Sequence, residues 1–121
     1  MKASELLNNA LKMLGYSDSD GNVELTNRIR NGAITIINLV YEDLWRICET
    51  GDFEGIKSIN DEIKLPLRAL GEVFVYGLAM HIARSENDGD QQQYYVALYN
   101  SKRSGLSKYM SVKNILPYPA L

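Results

Sequence analysis

Histidine and cysteine are the residues that most often carry metal or nucleophile chemistry, and this chain contains one of each, His81 and Cys48. One histidine and one cysteine cannot complete a zinc site of the usual composition. They could form a cysteine–histidine nucleophile pair, but no motif of such enzymes accompanies either residue. We therefore predict that His81 is a hydrogen-bonded residue of the core or its boundary, and that Cys48 is a small buried hydrophobe.

Residues 16–22, with the sequence YSDSDGN, carry carboxylates that invite comparison with a calcium-binding loop. In such a loop glycine takes position six, and oxygen ligands take positions one and twelve. Placing Gly21 at position six puts Tyr16 at position one and Asn27 at position twelve, and neither supplies the required carboxylate. We interpret the segment as a turn followed by the start of a helix, and we predict no metal site.

Other catalytic signatures are missing from the sequence. It contains no glycine-rich phosphate loop, no nucleophile elbow and no pair of carboxylates spaced for one helix face. It also lacks a basic recognition helix of the helix-turn-helix type. We therefore predict no catalytic residue and no cofactor, and we expect that the protein is not an enzyme.

The charged residues are unevenly distributed along the chain, whose net charge is −2. Residues 1–90 contain 9 basic and 15 acidic side chains, whereas residues 91–121 contain four basic side chains and no acidic one. A basic end on an acidic body favours an oriented contact with another copy of the chain or with an acidic partner. The alternative is a solvated helix face that happens to be basic.

The length of 121 residues predicts one domain, spanning 1–121, because a second domain would have no core of its own. A single cysteine rules out an internal disulfide and suits a reducing compartment. The first 15 residues are amphipathic and lack a continuous apolar stretch, so we expect no secretory signal and synthesis in the cytoplasm.

The stretch Leu65–Ala83 is apolar or small at almost every position and predicts the central helix, running from Pro66 to about Glu86. Polar residues such as Arg68 and Glu72 make it unsuitable as a membrane span, so we expect protein around it and no membrane contact. These two side chains are spaced i, i+4 and are predicted to pair.

Two helices are predicted before this one. The first covers residues 4–14, with Ser4 as N-cap and Gly15 as a left-handed C-cap. The second runs from about Val23 to Cys48. Its apolar residues recur every three or four positions and predict a core face (Leu25, Ile29, Ala33, Ile36, Ile37, Val40, Leu44 and Ile47).

A fourth helix is predicted from a cap at Asp88 or Asp90 to about Tyr109. Its predicted stripe consists of five residues (Tyr95, Leu98, Lys102, Leu106 and Tyr109). Tyr94 and Tyr99 flank the stripe. Tyrosines offer the large amphipathic contact area that is favoured at interfaces, although their rings could instead cover the core with the hydroxyls in water.

Residues 49–64 and 110–121 complete the predicted fold, an all-α bundle of about four helices. The first segment is irregular and is predicted to be a loop with a short extended, possibly β, piece, in which Phe53 and Ile56 either cover the core or form a docking patch. The second contains two prolines and bulky apolar residues, and predicts an extended tail that folds back or joins a neighbour.

Three segments have a pattern typical of one protein family. They are LLNNALKMLG at 6–15, NLVYEDL at 38–44 and, most specifically, YGLAMHIARSENDGDQQQYYVALYNSKR at 76–103. The last follows a proline before a buried helix, and combines a YGLAM-like small-residue segment, a GD turn and an LYNxKR-like run on a tyrosine-bearing helix. Over about residues 4–110 the chain resembles the head–tail connector (adaptor) proteins of tailed bacteriophages and prophages.

The resemblance implies a structural protein of the virion, located at the head–tail junction. Such proteins assemble on the portal protein as a ring, commonly about twelve-fold. The ring extends the channel through which DNA passes, and it provides a platform for a head-closure or tail protein. We expect the interaction residues in the irregular loop, the tyrosine-bearing helix and the tail (Phe53, Ile56, Tyr94, Tyr99, Lys102, Arg103, Ile115, Leu116 and Tyr118).

The alternative is a small helical regulatory or nucleic-acid-binding module that uses the basic C-terminal helix. Steeply salt-dependent binding to duplex DNA would favour this alternative over a connector.

Overall fold

The computed structural model describes residues 1–17, 20 and 25–115. Across these ranges the helical elements confirm the predicted all-α fold. The α-helices are α1 (Ala3–Met13), α2 (Asn27–Cys48), α3 (Phe74–Ser85) and α4 (Gly89–Ile115). A π-helical turn at Ala69–Val73, which we call the π segment, leads directly into α3.

Helix α3 lies at the centre of the bundle and packs against α1, α2 and α4. The prediction of a central buried helix is confirmed, because buried side chains occur on several of its faces (Phe74, Val75, Leu78, Ala79, Ile82 and Ala83). Gly77 lies between the two neighbouring helices. A Cβ atom added there would lie 2.8 Å from the Tyr99 ring and 2.9 Å from a methyl of Val40. The glycine therefore permits a close approach of three helices.

We expect Gly77→Ala to lower the free energy of unfolding by about 1–2 kcal/mol, because the new methyl group overpacks the contact with Tyr99 and Val40. This decrease already includes the roughly 1 kcal/mol by which alanine stabilises a helix relative to glycine. Urea unfolding measures it. The control is Gly32→Ala in α2, where the nearest neighbour of the new Cβ is a methyl of Ile36 at 4.0 Å. Equal effects of the two substitutions would contradict the close approach.

The start of the third helix differs from the sequence prediction of one continuous helix over Pro66–Glu86. Within the π segment the N–H of Phe74 donates to the carbonyl of Ala69, five residues earlier, instead of four. π-Helical turns are rare and frequently lie at functional sites. The surface beside this turn is therefore a candidate functional site.

The predicted ion pair between Arg68 and Glu72 is wrong. The Arg68 guanidinium lies 3.8 Å above the centre of the Tyr109 ring, and the Glu72 carboxylate is 3.3 Å from the Lys102 ammonium. Both side chains turn towards α4 because that helix runs beside the π segment and offers each of them a partner.

The N-terminus of α1 is held by the irregular loop. Backbone N–H groups of Ala3 and Ser4 donate to the carbonyls of Asp61 and Ile59. These carbonyls satisfy two of the N–H groups that a helix start leaves without partners. The prediction that Ser4 is the N-cap is therefore wrong, and Lys2 occupies that position.

The C-terminus of α1 and the start of α2 illustrate the role of local caps. Gly15 has φ +84°, as predicted for a left-handed C-cap. Helix α2 starts at Asn27 with Thr26 as N-cap, whose hydroxyl accepts the Ile29 N–H at 3.1 Å. This start is four residues later than the predicted Val23, and residues 21–24 lie outside the described ranges.

Residues 49–64 form an irregular loop, as predicted, and its β character is limited to an isolated antiparallel bridge between Lys2 and Glu62. The loop is anchored to α2. The Asn38 side chain accepts the Ile56 N–H at 2.8 Å and donates to the Ile56 carbonyl at 3.0 Å. Gly55 lets the loop approach, because a Cβ there would lie 2.7 Å from the Asn38 oxygen.

Helix α4 begins after Asp88, whose carboxylate accepts the Gln91 N–H at 3.2 Å and confirms one of the two predicted caps. Its buried face differs from the predicted stripe. Tyr99 and Met110 are buried, whereas Lys102 is exposed. The buried residues are Tyr95, Tyr99, Leu106 and Met110.

The predicted extended tail at 110–121 is wrong for its first six residues, because α4 continues to Ile115. Burial of Leu106 and Met110 extends the core-facing side of the helix past Tyr109, the predicted end. Residues 116–121 lie outside the described ranges.

Candidate protein-binding surfaces

A groove of about 610 Å³ runs between the π segment and α4, and we call it the π groove. Gly71 and Gly105 leave it open, because a Cβ added at either position would have no described neighbour within 4 Å. The groove is lined by apolar, charged and aromatic side chains (Leu67, Arg68, Glu72, Lys102, Leu106 and Tyr109).

The π groove has an apolar rim. Leu67 is 83% exposed, and Tyr109 and Val112 are further exposed hydrophobic residues towards the end of α4. A single exposed leucine needs no explanation, but exposed apolar side chains beside a groove are typical of a protein-binding surface.

The π groove contains more positive than negative charges, and these charges interact only weakly with other groups of the molecule. Lys102 and Glu72 form their ion pair with side chains 48% and 60% exposed, and pairs of this kind contribute little to stability. Arg68 is exposed and is stacked on the Tyr109 ring. A carboxylate of a partner could therefore bind both cations at a small cost in free energy.

A second concave surface, the acidic cleft, lies between α2 and the irregular loop and has a volume of about 410 Å³. Tyr41 and Trp45 line it on the α2 side. On the loop side it is lined mainly by acids (Asp52, Glu54, Asp61 and Glu62) and by Lys64. Asp61 and Glu62 have internal partners, since Asp61 accepts the Lys57 and Ser58 N–H groups and Glu62 pairs with the N-terminal ammonium.

The aromatic residues of the acidic cleft pack edge to face. The Tyr41 ring centre is 5.1 Å from that of Phe53 and 6.2 Å from that of Trp45. Phe53 is half-buried by these contacts, and Ile56 is only 6% exposed. Of the two alternatives predicted for this pair, covering the core is the one that the structure favours. The prediction that Ile56 is an interaction residue is not supported, because its side chain is buried.

Asp43 joins α2 to α4 through two side chains, an arrangement that we call the Asp43 clamp. Its carboxylate accepts hydrogen bonds from the Tyr99 hydroxyl and, in a bidentate pair at 2.7 and 2.9 Å, from Arg103. Tyr99 is only 5% exposed, so the prediction that it lies at an interface is not supported. Its hydroxyl forms a hydrogen bond within the protein. Arg103 is likewise engaged within the molecule.

The clamp shifts the pKa values of its members. Burial alone would raise the pKa of Asp43, but the hydrogen bonds from Arg103 and Tyr99 outweigh it and the pKa lies below its usual value. Burial, reinforced by the Asp43 carboxylate, raises the pKa of Tyr99 far above its usual value. The hydrogen bond to Asp43 raises the pKa of Arg103. The clamp is therefore a charged, hydrogen-bonded unit at neutral pH.

The remaining predicted interaction residues lie on or beyond α4. Tyr94 is 61% exposed, and its ring centre is 5.0 Å from that of Tyr95. Ile115 is the last residue of α4. Leu116 and Tyr118 lie outside the described residues.

Cys48 and His81 are each only half-buried. The prediction that Cys48 is a buried hydrophobe is therefore not met, and His81 lies at the core boundary as predicted but forms no hydrogen bond among the described residues. Burial, followed by the charge of Glu49, raises the pKa of the Cys48 thiol, which is the opposite of the change that activates a nucleophile. Burial, followed by the charge of Arg84, lowers the pKa of His81. Among the described residues there is no group of three or more side chains suited to holding a metal ion.

Known proteins give no direct guide to these surfaces. Comparison with protein-family models, with curated proteins and with solved structures finds no match. No helix in the described ranges is long and apolar enough to cross a membrane. Function must therefore be inferred from the surfaces of the bundle and from the sequence pattern.

Sequence reasoning named one residue of the π groove, Lys102, as an interaction residue but missed Leu67, Arg68 and Tyr109. Leu67 and Arg68 were assigned to the central helix, and Tyr109 to the core face of α4. The signal for Leu67 was its position after Pro66, in the first turn of a helix, where one side commonly faces water. The signal for a basic surface was the excess of lysine and arginine after residue 90.

Two of the four basic side chains in residues 91–121 are paired with carboxylates, Lys102 with Glu72 and Arg103 with Asp43. Such pairing lowers the positive potential along α4. The basic C-terminal helix is therefore a weaker candidate for phosphate binding than its sequence alone indicates.

Proposed function

We propose that this chain is a structural head–tail connector protein of a tailed phage or prophage. The observation that carries the proposal is the π groove with its exposed apolar rim at Leu67, on a domain whose aromatic side chains otherwise largely cover the core. A groove that combines apolar side chains with arginine and tyrosine has the composition favoured in the centres of protein interfaces.

The rest of the proposal comes from the sequence pattern at residues 76–103. It would place the protein at the head–tail junction of the virion, as a ring of about twelve copies. The ring would sit on the portal protein, surround the DNA channel and receive a head-closure or tail protein. The helical bundle suits this role, because a rigid domain can keep its surfaces in fixed positions relative to each other.

The test is to mix the protein with the portal protein encoded in the same phage or prophage genome and to measure the mass of the complex. We expect a complex whose mass corresponds to several copies of this chain on each portal ring. Leu67→Asp should lower the number of copies bound to each portal ring, because it places a charge on the apolar rim of the π groove and assembly of the copies uses that groove.

The matched control is Leu39→Asp, which makes the same change at an exposed leucine of α2, outside the π groove. A normal number of copies on the portal ring with Leu67→Asp would show that the π groove does not mediate assembly of the copies. A chain that never binds the portal protein, and that binds duplex DNA with a steep salt dependence, would overturn the connector proposal in favour of nucleic-acid binding.

A further inference from the structure

The exposed acids in the first part of the irregular loop have no internal role that explains them, unlike Asp61 and Glu62. Residues 49–54, which we call the acidic loop, contain Glu49, Asp52 and Glu54, and all three are exposed. Within the described part of the chain, Asp52 and Glu54 form neither a hydrogen bond nor an ion pair. They place two unpaired negative charges close together on either side of Phe53.

The acidic loop is held in one position. Phe53 packs against Tyr41 and Trp45, and the Trp45 indole N–H donates to the Gly51 carbonyl at 3.4 Å. The two hydrogen bonds between Asn38 and Ile56 fix the chain just after the acidic loop. A loop that is already ordered loses little conformational entropy when it binds a partner.

The acidic loop and helix α4 lie on different sides of α2. On α2, Tyr41 and Trp45 face the loop, whereas Asp43 faces α4. Two residues along an α-helix correspond to a rotation of about 200°, so these directions are nearly opposite. The acidic loop therefore lies on the side of α2 opposite α4, the helix that forms one wall of the π groove.

The two surfaces are complementary in charge. The acidic loop offers two unpaired carboxylates, and the π groove offers Arg68 and Lys102, engaged only by a ring stack and by an exposed ion pair with Glu72. Exposed apolar side chains beside the cations would be covered by the same contact.

We infer that the π groove of one copy binds the acidic loop of a second copy, in a head-to-tail contact between different surfaces. Asp52 and Glu54 of one molecule then pair with Arg68 and Lys102 of the next. A contact of this type joins unlike patches, so it generates a ring or a filament, not a closed pair. The inference rests on the proposed connector function, because it supplies the contact between neighbouring copies.

The test uses two variants that each disable one side of the contact. The loop variant is Asp52→Lys with Glu54→Lys, and the groove variant is Arg68→Gln with Lys102→Gln. We expect the unaltered protein to self-associate at low salt and to grow beyond dimers at high concentration. Each variant alone should self-associate at least about tenfold more weakly, because the paired charges are lost or repel.

A mixture of the two variants gives the decisive result. The groove variant keeps an intact acidic loop, and the loop variant keeps an intact π groove, so one good contact can form between them. We expect a 1:1 complex that grows no further, detected by sedimentation velocity or light scattering. Larger species in this mixture, or failure of the two variants to associate, would overturn the inference.

A control for general charge effects is Glu42→Lys with Asp90→Lys, which changes the net charge as the loop variant does but at sites outside both surfaces. It should self-associate like the unaltered protein. Circular dichroism establishes that each variant is folded. If the unaltered protein stays monomeric at low salt and millimolar concentration, the head-to-tail contact is wrong. Portal binding is measured separately, so the connector proposal can fail or survive independently.

Discussion

Replacement of Phe74 by alanine is expected to lower the free energy of unfolding by about 4 kcal/mol. Phe74 is the first residue of α3 and its side chain is fully buried. Its ring centre is 6.3 Å from that of Tyr41, whose hydroxyl accepts the Lys64 N–H at 3.0 Å and so ties the end of the irregular loop to α2. Alanine would leave a cavity where the π segment, α2 and the loop meet.

Urea unfolding followed by fluorescence measures this effect, because Trp45 is the only tryptophan of the chain and lies beside Tyr41 and Phe53. Phe74→Leu should cost less than about 1.5 kcal/mol, since it keeps most of the buried volume. Leu67→Ala, a truncation on the exposed rim of the π groove, should change stability by no more than about 0.5 kcal/mol. A loss below 2 kcal/mol for Phe74→Ala would contradict its central position.

The buried position of Phe74 could be predicted from sequence because the run Leu65–Ala83 is apolar or small at almost every position. The periodicity of α2 was equally informative, since Ile29, Ala33, Ile37, Val40 and Leu44 are all buried as predicted. These signals depend only on which residues avoid water. They identify the helices and their buried faces without knowledge of the neighbouring elements.

The errors arose where a distant segment decides the local structure. The start of α1 depends on carbonyls of Ile59 and Asp61, more than fifty residues away, so the local cap signal of Ser4 was misleading. The end of α4 depends on the core that receives Met110. No residue type within Ala69–Val73 indicates a π-helical turn.

The candidate surfaces were harder to predict than the fold. A tyrosine-rich, basic helix indicated a protein contact, but it could not show that Tyr99 and Arg103 bind Asp43, which precedes them by more than fifty residues. Asp43 lies away from the apolar stripe of α2 and has the sequence environment of a solvent-exposed acid. Pairing of this kind is a property of the folded arrangement.

The Asp43 clamp connects the stability of the bundle to its proposed function. Arg103 follows Lys102, which lines the π groove, and precedes Leu106 by less than one helical turn. By fixing α4 against α2, the clamp also fixes one wall of the π groove. Loosening it should therefore disturb the groove without any change to the residues that line it.

Asp43→Ala is expected to lower the free energy of unfolding by about 2–3 kcal/mol. It leaves the buried Tyr99 hydroxyl without its acceptor and removes the bidentate partner of Arg103. Because the Asp43 side chain is itself 35% exposed, the loss should stay below that of a fully buried ion pair. Asp43→Asn keeps an acceptor for Tyr99 and should cost less. Urea unfolding at neutral pH compares these variants.

The control is Glu42→Ala, because the neighbouring Glu42 forms an exposed pair with Arg46 and its loss should cost no more than about 0.5 kcal/mol. The pH dependence supplies a second check. Since folding lowers the pKa of Asp43, its stabilising effect is present above the ordinary carboxyl pKa of about 4 and is lost as pH falls through the folded value. The difference between the unaltered protein and Asp43→Asn should therefore shrink below about pH 4, and a constant difference would contradict a charged clamp.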